Sequence, residues 1–417
     1  MSLEAAMTPQ RKKILLLDTG NEWGGGTNSM LELLKRIDRE RFAVHCGFYH
    51  NYRRGSGDSI EQVLASLGIP VTFIPQRKQP RWAKLLKELL RSLVFFHRGL
   101  RLKATRFVDK LWRIRPNARA IRQLLLEQQS DMLYMNNQPG SNAEGYLAAR
   151  DLAVSVVQHC RIEPVLDSEL VAMVNRRADA VIAVSNGVRD VLLAKGVTAE
   201  KCFTVFNAID IYQPLPEREK MRQQLLNVSE NTFVFGSIGS LIARKANHHT
   251  LQALAKFAAA FPKADWRMVI LGEGPDLAAL QQQASQAGLQ DRVIFTGFRS
   301  NALDYLAAFD VFILASKSEG LPRVVLEAML LNTAVIGSRV TGTAELIQHN
   351  KTGLLFDYGD TQGLFKQMET LWLDAEKRHQ LLQQANHHVK AHYAIEHYVT
   401  GVETILENAA NGNLSHV

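Results

Sequence analysis

The sequence predicts an α/β protein built of two doubly wound parallel-sheet domains, and three observations carry that expectation. Short apolar runs alternate with helix-period stretches, which is the pattern of βαβ units. The alternation pauses at residues 210–221, where Pro214, Pro216 and a charged run read as an interdomain linker, and then restarts. A length of 417 residues is also two or three domains' worth of chain.

Taken in order, residues 13–17 are a strand, 18–27 a glycine-rich loop and 28–37 a helix. Strands follow at 42–49 and 71–75, with a helix at 59–67 between them. Residues 131–135, 153–157 and 180–184 continue the series as apolar runs too short for helices. After the linker come strands at 233–238, 266–271 and 293–296, with helices at 248–261, 276–287 and 302–307. The apolar run 308–315 reads as a buried parallel strand, and 334–337 and 353–356 as two more. The tail from 361 to 410 is helical, ending in an amphipathic piece at 393–406.

Composition narrows the classes. Cys46, Cys160 and Cys202 form no CxxC pair and are odd in number, so neither a disulfide framework nor a zinc site is expected. Buried thiols in a reducing cytosol are the expectation. The first ten residues lack the apolar core of a signal peptide, and no run of about 18 apolar residues is present, so no membrane span is expected.

The net charge of +8 is concentrated in one place. Residues 77–122 hold fifteen Lys and Arg against Glu88 and Asp109, which leaves the rest of the chain net acidic. Within this stretch Trp82, Leu85, Leu86, Leu89, Leu93 and Phe96 recur at three- and four-residue steps, and a second run over 100–114 carries Phe107, Leu111 and Trp112. Basic charge interleaved with aromatic residues fits a helix lying on anionic lipid. Nucleic acid is the rival for such charge. No motif that reads RNA or DNA accompanies it, so no nucleic-acid partner is expected.

The chemistry concentrates at residues 318–329. Glu319 lies on the loop after the 308–315 strand, and Glu327 lies eight positions on, inside a helix that begins near Pro322. The helix start between them offers free N–H groups and the positive end of a dipole, which suits phosphate. Two carboxylates bracketing an anion site can hold sugar or ribose hydroxyls on either side of a diphosphate, so the arrangement describes a nucleotide-sugar. Three further segments have chemical potential. Gly24-Gly25-Gly26 sits between the first strand and its helix, where it serves equally as a tight turn or as a ligand loop. His159 follows the strand at 153–157 and is expected to project at the carboxyl edge of the sheet. Arg244-Lys245 is a cation pair after a strand and Gly239, suited to a diphosphate leaving group.

Ser318-Glu-Gly-Leu-Pro, the eight-residue step and Glu327-Ala-Met329 together resemble the signature of retaining family-4 glycosyltransferases, which have the GT-B fold. Residues 178–189, 205–210, 271–275, 295–299, 340–345, 351–355 and 359–360 are similar to other segments of that family, so the resemblance runs from about 13 to 406. It implies a GT-B architecture: two Rossmann-like doubly wound domains facing across a cleft. The implied domains are an acceptor-binding one over 1–212, carrying the basic helix at 77–122, and a nucleotide-sugar-binding one over 213–390. A C-terminal helix from 391 to 417 would cross back to the first.

The resemblance also implies roles. Glu319, His159 and Lys245 form the catalytic set, with Glu319 on donor-sugar hydroxyls, His159 near the reacting carbon and Lys245 on the diphosphate. Donor contacts fall to Glu327 on the ribose, to the backbone of Gly320 and Leu321, to Arg244, and to Phe298 and Arg299 near the base. Gly25 and Gly26 border the donor phosphate and acceptor. The family usually has an arginine where this chain has Ser240, and Arg244 is the substitute on hand.

No cofactor and no metal are implied, because no DxD lies near these positions. The donor is a UDP- or GDP-linked sugar, and the acceptor a saccharide or lipid-linked glycan of lipopolysaccharide type. The protein is expected to be cytoplasmic, peripheral on the inner face of the plasma membrane. A sugar-nucleotide epimerase of the same fold, and a catalytically weak membrane-associated binding protein of the family, are the alternatives.

Overall fold

The computed structural model describes residues 11–414 apart from 21–22, 54, 56, 78–79, 94–109 and 230. By packing, the chain divides into two compact units. The first comprises the chain to Ala183, Arg189–Phe203 and Gly401 onward; the second comprises Val184–Val188 and Thr204–Thr400.

The first unit is built on strands β1 (Lys12–Asp18), β2 (Phe42–Phe48), β3 (Val71–Phe73), β4 (Met132–Asn136), β5 (Ser155–Cys160), β6 (Ala180–Ala183) and β7 (Cys202–Thr204). They lie in the order β3-β2-β1-β4-β5-β6-β7. Strand β1 pairs in parallel with β2 on one side and β4 on the other, Leu16 standing opposite both Cys46 and Tyr134. Helices cover both faces, which is why Ile14, Leu15, Leu16 and Leu17 form an unbroken apolar run and all are buried. Strand order reverses between β1 and β4, so the loops after these two strands diverge and leave a crevice at their carboxyl ends.

The last turns of the final helix, Ile395–Asn411, also pack within this unit. Ser155 Oγ donates to Ala409 O at 3.1 Å, and Asp38 N donates to Glu403 Oε1 at 2.7 Å. Arg41 pairs with both Glu403 and Glu407.

The second unit repeats the plan with β8 (Phe233–Ile238), β9 (Trp266–Leu271), β10 (Val293–Gly297), β11 (Val311–Leu314), β12 (Ala334–Ser338) and β13 (Leu354–Phe356). Their order is β10-β9-β8-β11-β12-β13, with every neighbouring pair parallel. Phe235, Phe257 and Trp266 meet edge-to-face in its core. Here the order reverses between β8 and β11. Strands at 233–238 and 266–271 and the helix at 302–307 fall on the residues the sequence predicts.

Three expectations change in detail. The helix expected from Asn28 begins at Gly25, so the second and third glycines form its first turn. The strand expected to end at Val157 runs to Cys160, because pairing with β6 continues through His159↔Ile182 and Cys160↔Ala183. The stretch read as a linker at 210–221 packs with the second unit and contains a short helix, Arg218–Met221. Arg218 Nη2 and Arg222 Nη1 reach the two oxygens of Asp310 at 2.6 and 3.2 Å. Asp310 also accepts from Val234 N at 2.7 Å. A charged run that reads as a linker in sequence is thus tied to the amino ends of β8 and β11.

Of the basic stretch, a helix is described over Arg81–Leu93, while 94–109 fall outside the described residues. Trp82, Leu85 and Leu89 on it are 53%, 71% and 58% exposed. No described helix is long and apolar enough to cross a membrane. Cys46, Cys160 and Cys202 are buried and free. No group of three or more metal-ligating side chains is arranged to hold a metal ion among the described residues.

The Asp310 clamp has a direct consequence for stability. Asp310→Ala removes the carboxylate that neutralises Arg218 and Arg222 and accepts from Val234 N, and is expected to cost about 3 kcal/mol. Denaturant unfolding of the variant beside the wild type measures this, and a loss below about 0.5 kcal/mol would mean the clamp is decorative.

Candidate functional site

The second unit gathers its polar groups where its strand order reverses. Strand β8 ends in Gly239, whose φ of +150° only glycine adopts without strain, and whose missing Cβ leaves room for the Lys245 stem, 3.4 Å from where it would stand. A single 3₁₀ turn, Ala243–Lys245, then returns the chain towards the end of β11. There Lys245 Nζ donates to Glu319 Oε1 at 2.7 Å, and Arg244 Nη1 lies 3.3 Å from Glu319 Oε2. The same arginine donates to Ser318 O at 2.7 Å, and Lys317 N donates to Arg244 O at 2.8 Å. The two loops are therefore stitched together by backbone as well as by charge.

Glu319 is only 7% exposed. Burial by itself pushes its carboxyl up, but Lys245 and Arg244 outweigh that and hold it below the ordinary carboxylate range. It stands ionised in the site.

The next two residues are fixed by their carbonyls. Gly320 O accepts from Ser185 Oγ at 2.9 Å, and Leu321 O accepts from Asn207 Nδ2 at 3.0 Å. Gly342 packs its α-carbon against the Gly320 carbonyl, where a methyl group would collide. With the carbonyls turned to these partners, the chain enters the helix Arg323–Leu330 through Pro322; Val325 N bonds back to Pro322 O at 3.0 Å, and the N–H groups of the two residues before it have no intrahelical acceptor. Glu327 sits one turn in, 3.8 Å from Nη2 of Arg323.

Of the donor-side residues the sequence nominates, Arg244, Lys245, Glu319, Gly320, Leu321 and Glu327 come together at this junction. Phe298 and Arg299 follow β10, which β9 separates from β8. Phe298 N donates to Glu273 Oε1 at 3.4 Å, and Arg299 is exposed. Ser240 lies in the loop after β8, half-buried. Arg244 stands four residues beyond it, with its guanidinium on Glu319 and Ser318 O.

The first unit has its own polar cluster at the β1/β4 reversal. Asp18, at the end of β1, accepts from Asn136 Nδ2 at 2.8 Å and from Gly20 N at 2.7 Å. Asn136 Oδ1 accepts in turn from Arg161 Nε at 2.7 Å. Burial pushes the Asp18 carboxyl up, against the pull of Asn136, Gly20 and Arg161. The Arg161 stem passes 3.4 Å from where a Cβ on Gly26 would be, so the glycine lets the helix start settle on it. Gly25 has open space on that side. These polar partners are missed in sequence because none belongs to a motif. The signal available was a polar residue at the carboxyl end of each of two adjacent central strands.

His159 is fully buried within β5, and its Nδ1 is 2.6 Å from Tyr134 OH. Burial, with Arg161 second, holds the imidazole well below its usual range, so it is neutral near pH 7.

Comparison with known proteins bears on the fold and the family. Residues 23–213 match the family described as Glycosyltransferase Family 4, and residues 217–388 match Glycosyl transferases group 1. N-acetyl-alpha-D-glucosaminyl L-malate synthase of Bacillus anthracis is 30% identical over 215 residues, 51% of this chain and 56% of that protein. The lipopolysaccharide core biosynthesis glycosyltransferase LpsE of Rhizobium meliloti (strain 1021) is 29% identical over 150 residues, 36% of this chain and 42% of its own length. The chain thus spans about half the length of the curated relatives it matches. Among solved structures, Anabaena Alr3699/HepE in complex with UDP and glucose has a TM-score of 0.75 at 24% identity, covering 95% of this chain and 100% of that one. Sucrose-phosphate synthase from Thermosynechococcus elongatus has a TM-score of 0.75 at 18% identity, covering 96% and 100%. The fold is GT-B. The chain belongs to the family-4 glycosyltransferases.

Two outcomes follow from these local structures. Gly342→Ala is expected to push the Gly320 carbonyl off its place and destabilise the protein by about 1–3 kcal/mol, read by denaturant unfolding. His159, depressed in the folded state, stays unprotonated while the unfolded chain takes up a proton below about pH 6.5. Its share of stability is therefore complete above that pH and falls with decreasing pH towards the depressed folded value, by up to about 1.4 kcal/mol per pH unit. His159→Gln should remove this slope from the wild-type stability profile between pH 6.5 and 5; unchanged steepness would show that His159 is not shielded.

Proposed function

We propose that the protein is a retaining glycosyltransferase that moves a sugar from a nucleotide-sugar donor to a lipid-linked or envelope-glycan acceptor. One observation carries the reading: the buried, ionised Glu319 held between Lys245 and Arg244, directly before a helix start that presents free N–H groups and Glu327. A diphosphate fits the helix start and the lysine. Glu319 is placed to accept from donor-sugar hydroxyls and Glu327 from the ribose. Departure of the nucleotide concentrates negative charge on the outer phosphate, where Lys245, Arg244 and the helix dipole stabilise it. Front-side displacement, in which that phosphate takes the acceptor proton, needs positioning more than a protein nucleophile. On this reading no metal or other cofactor is required.

The acceptor is assigned to the first unit, near the Gly24–Gly26 helix start. The curated relatives LpsE and LpsD of Rhizobium meliloti are lipopolysaccharide core glycosyltransferases, and a Campylobacter jejuni relative acts on a diphospho-undecaprenol-linked sugar. Those names support an acceptor of the lipopolysaccharide or lipid-linked class here. The exposed Trp82, Leu85 and Leu89 on a basic helix support action at an anionic membrane surface, which on this reading is the inner face of the plasma membrane.

Incubation with UDP-, GDP- and ADP-sugars, with and without lipopolysaccharide-type acceptors, tests the assignment. Acceptor-dependent nucleotide release is expected, whereas release of nucleotide with an altered free sugar would identify an epimerase. Glu319→Ala should lower kcat/KM by at least about 100-fold, a loss near 2.7 kcal/mol in transition-state stabilisation. Full activity in that variant would remove Glu319 from the mechanism. Sedimentation with vesicles should require anionic lipid and weaken as salt rises.

A further inference from the structure

Trp23 lies beyond the carboxyl end of β1, in the loop that leads into the helix Gly25–Arg36. Its indole Nε1 donates to Asn28 Oδ1 at 2.7 Å, within that helix. Its ring meets Tyr52 edge-to-face, with centroids 6.2 Å apart and planes at 80°. Tyr52 is buried and rests in the same manner on Phe48, the last residue of β2, at 5.9 Å. The indole is thus braced against both the helix and the sheet. It is nevertheless only half-buried, and no other aromatic ring lies against it among the described residues.

Directly after this residue the backbone is bare. A Cβ on Gly24 or Gly25 would have no atom within 4 Å, and neither glycine has the positive φ that excludes other residues. Neither packing nor conformation asks for glycine there, and a glycine in a helical turn is otherwise a loss relative to alanine. The two positions keep an open surface next to the indole. Gly26 seats the same turn on the Arg161 stem, which Asn136 fixes in turn at 2.7 Å, so the surface does not yield. With its N–H committed to Asn28, what Trp23 offers a ligand is a flat π surface. That surface suits a ring with an apolar C–H face and a polar rim, which is the shape of a pyranose. An acyl chain would gain as much from any apolar side chain and has no need of a plane held in one orientation.

We propose that Trp23 is an acceptor-binding residue whose indole packs on the C–H face of the acceptor's sugar ring, so that this unit recognises a saccharide rather than its lipid. The inference rests on the glycosyltransferase reading above and names the part of the acceptor that is read.

The test is steady-state kinetics of the full chain with the donor and lipopolysaccharide-type acceptor that give turnover, run beside the deacylated oligosaccharide of that acceptor. Trp23→Ala is expected to raise the KM for both forms of acceptor about tenfold or more, and the donor KM less than about twofold. Trp23→Phe should keep most of the acceptor affinity, because it retains a flat ring. Trp23→Met, which restores apolar bulk without a plane, should be as poor as Trp23→Ala; recovery to the level of Trp23→Phe would show that Trp23 only fills space against Tyr52. Thermal melting is the folding control, and Trp23→Phe against Trp23→Met decides the matter alone if Trp23→Ala does not fold. Unchanged acceptor KM in Trp23→Ala, an equal rise for the donor, or a loss confined to the acylated acceptor would each overturn the proposal. A wild type that turns over no donor–acceptor pair would instead bring down the transferase reading, and the proposal with it.

Discussion

A carboxylate kept ionised out of water organises the second unit. Taking a charge of that size out of water costs several kcal/mol unless partners replace the solvent. Glu319 obtains them from two consecutive side chains, Arg244 and Lys245, which can reach it only because Gly239 and a single 3₁₀ turn fold the end of β8 back towards β11. Everything local serves that closure. Arg244 O and Ser318 O complete it with backbone bonds, and Ser185, Asn207 and Gly342 stop the following residues from sliding away. The charge is expensive to bury, and what it brings is a rigid turn with its carbonyls directed away from the helix start.

The two units solve the same topological problem with different chemistry. Each reverses its strand order at the centre of the sheet, and each fills the opening with polar side chains from the adjacent strand ends. In the first unit the fill is an uncharged amide bridging Asp18 and Arg161. In the second it is a direct ion pair. An amide bridge holds its partners at fixed spacing and tolerates burial, which suits a scaffold. A directly paired carboxylate can exchange partners when a ligand arrives, which suits a binding site.

How far this was legible in the sequence depended on whether a residue's role is local. The Glu319–Glu327 step, the cation pair 244–245 and strands 233–238 and 266–271 are contained in short windows, and they are found where the pattern places them. His159 was expected at a strand end because the apolar run stops at Val157. The strand continues because β6 offers hydrogen bonds to polar residues as readily as to apolar ones. Arg218 reads as part of a linker, because nothing local announces that Asp310 will lie against it and Arg222 some 90 positions later.

Ser185 has a consequence for anyone who wishes to dissect the molecule. Residues 184–188 pack with the second unit although the chain on both sides belongs to the first. Ser185 holds the Gly320 carbonyl, and the Asn186 and Gly187 amides hold Glu345 at 3.0 and 3.1 Å. The second unit is therefore not a contiguous gene segment. A fragment cut at the apparent linker would keep all of its strands yet lose the strut beneath its most important turn. Fragment exchange between relatives, a natural way to recombine specificities, should carry this five-residue excursion along with the half it supports.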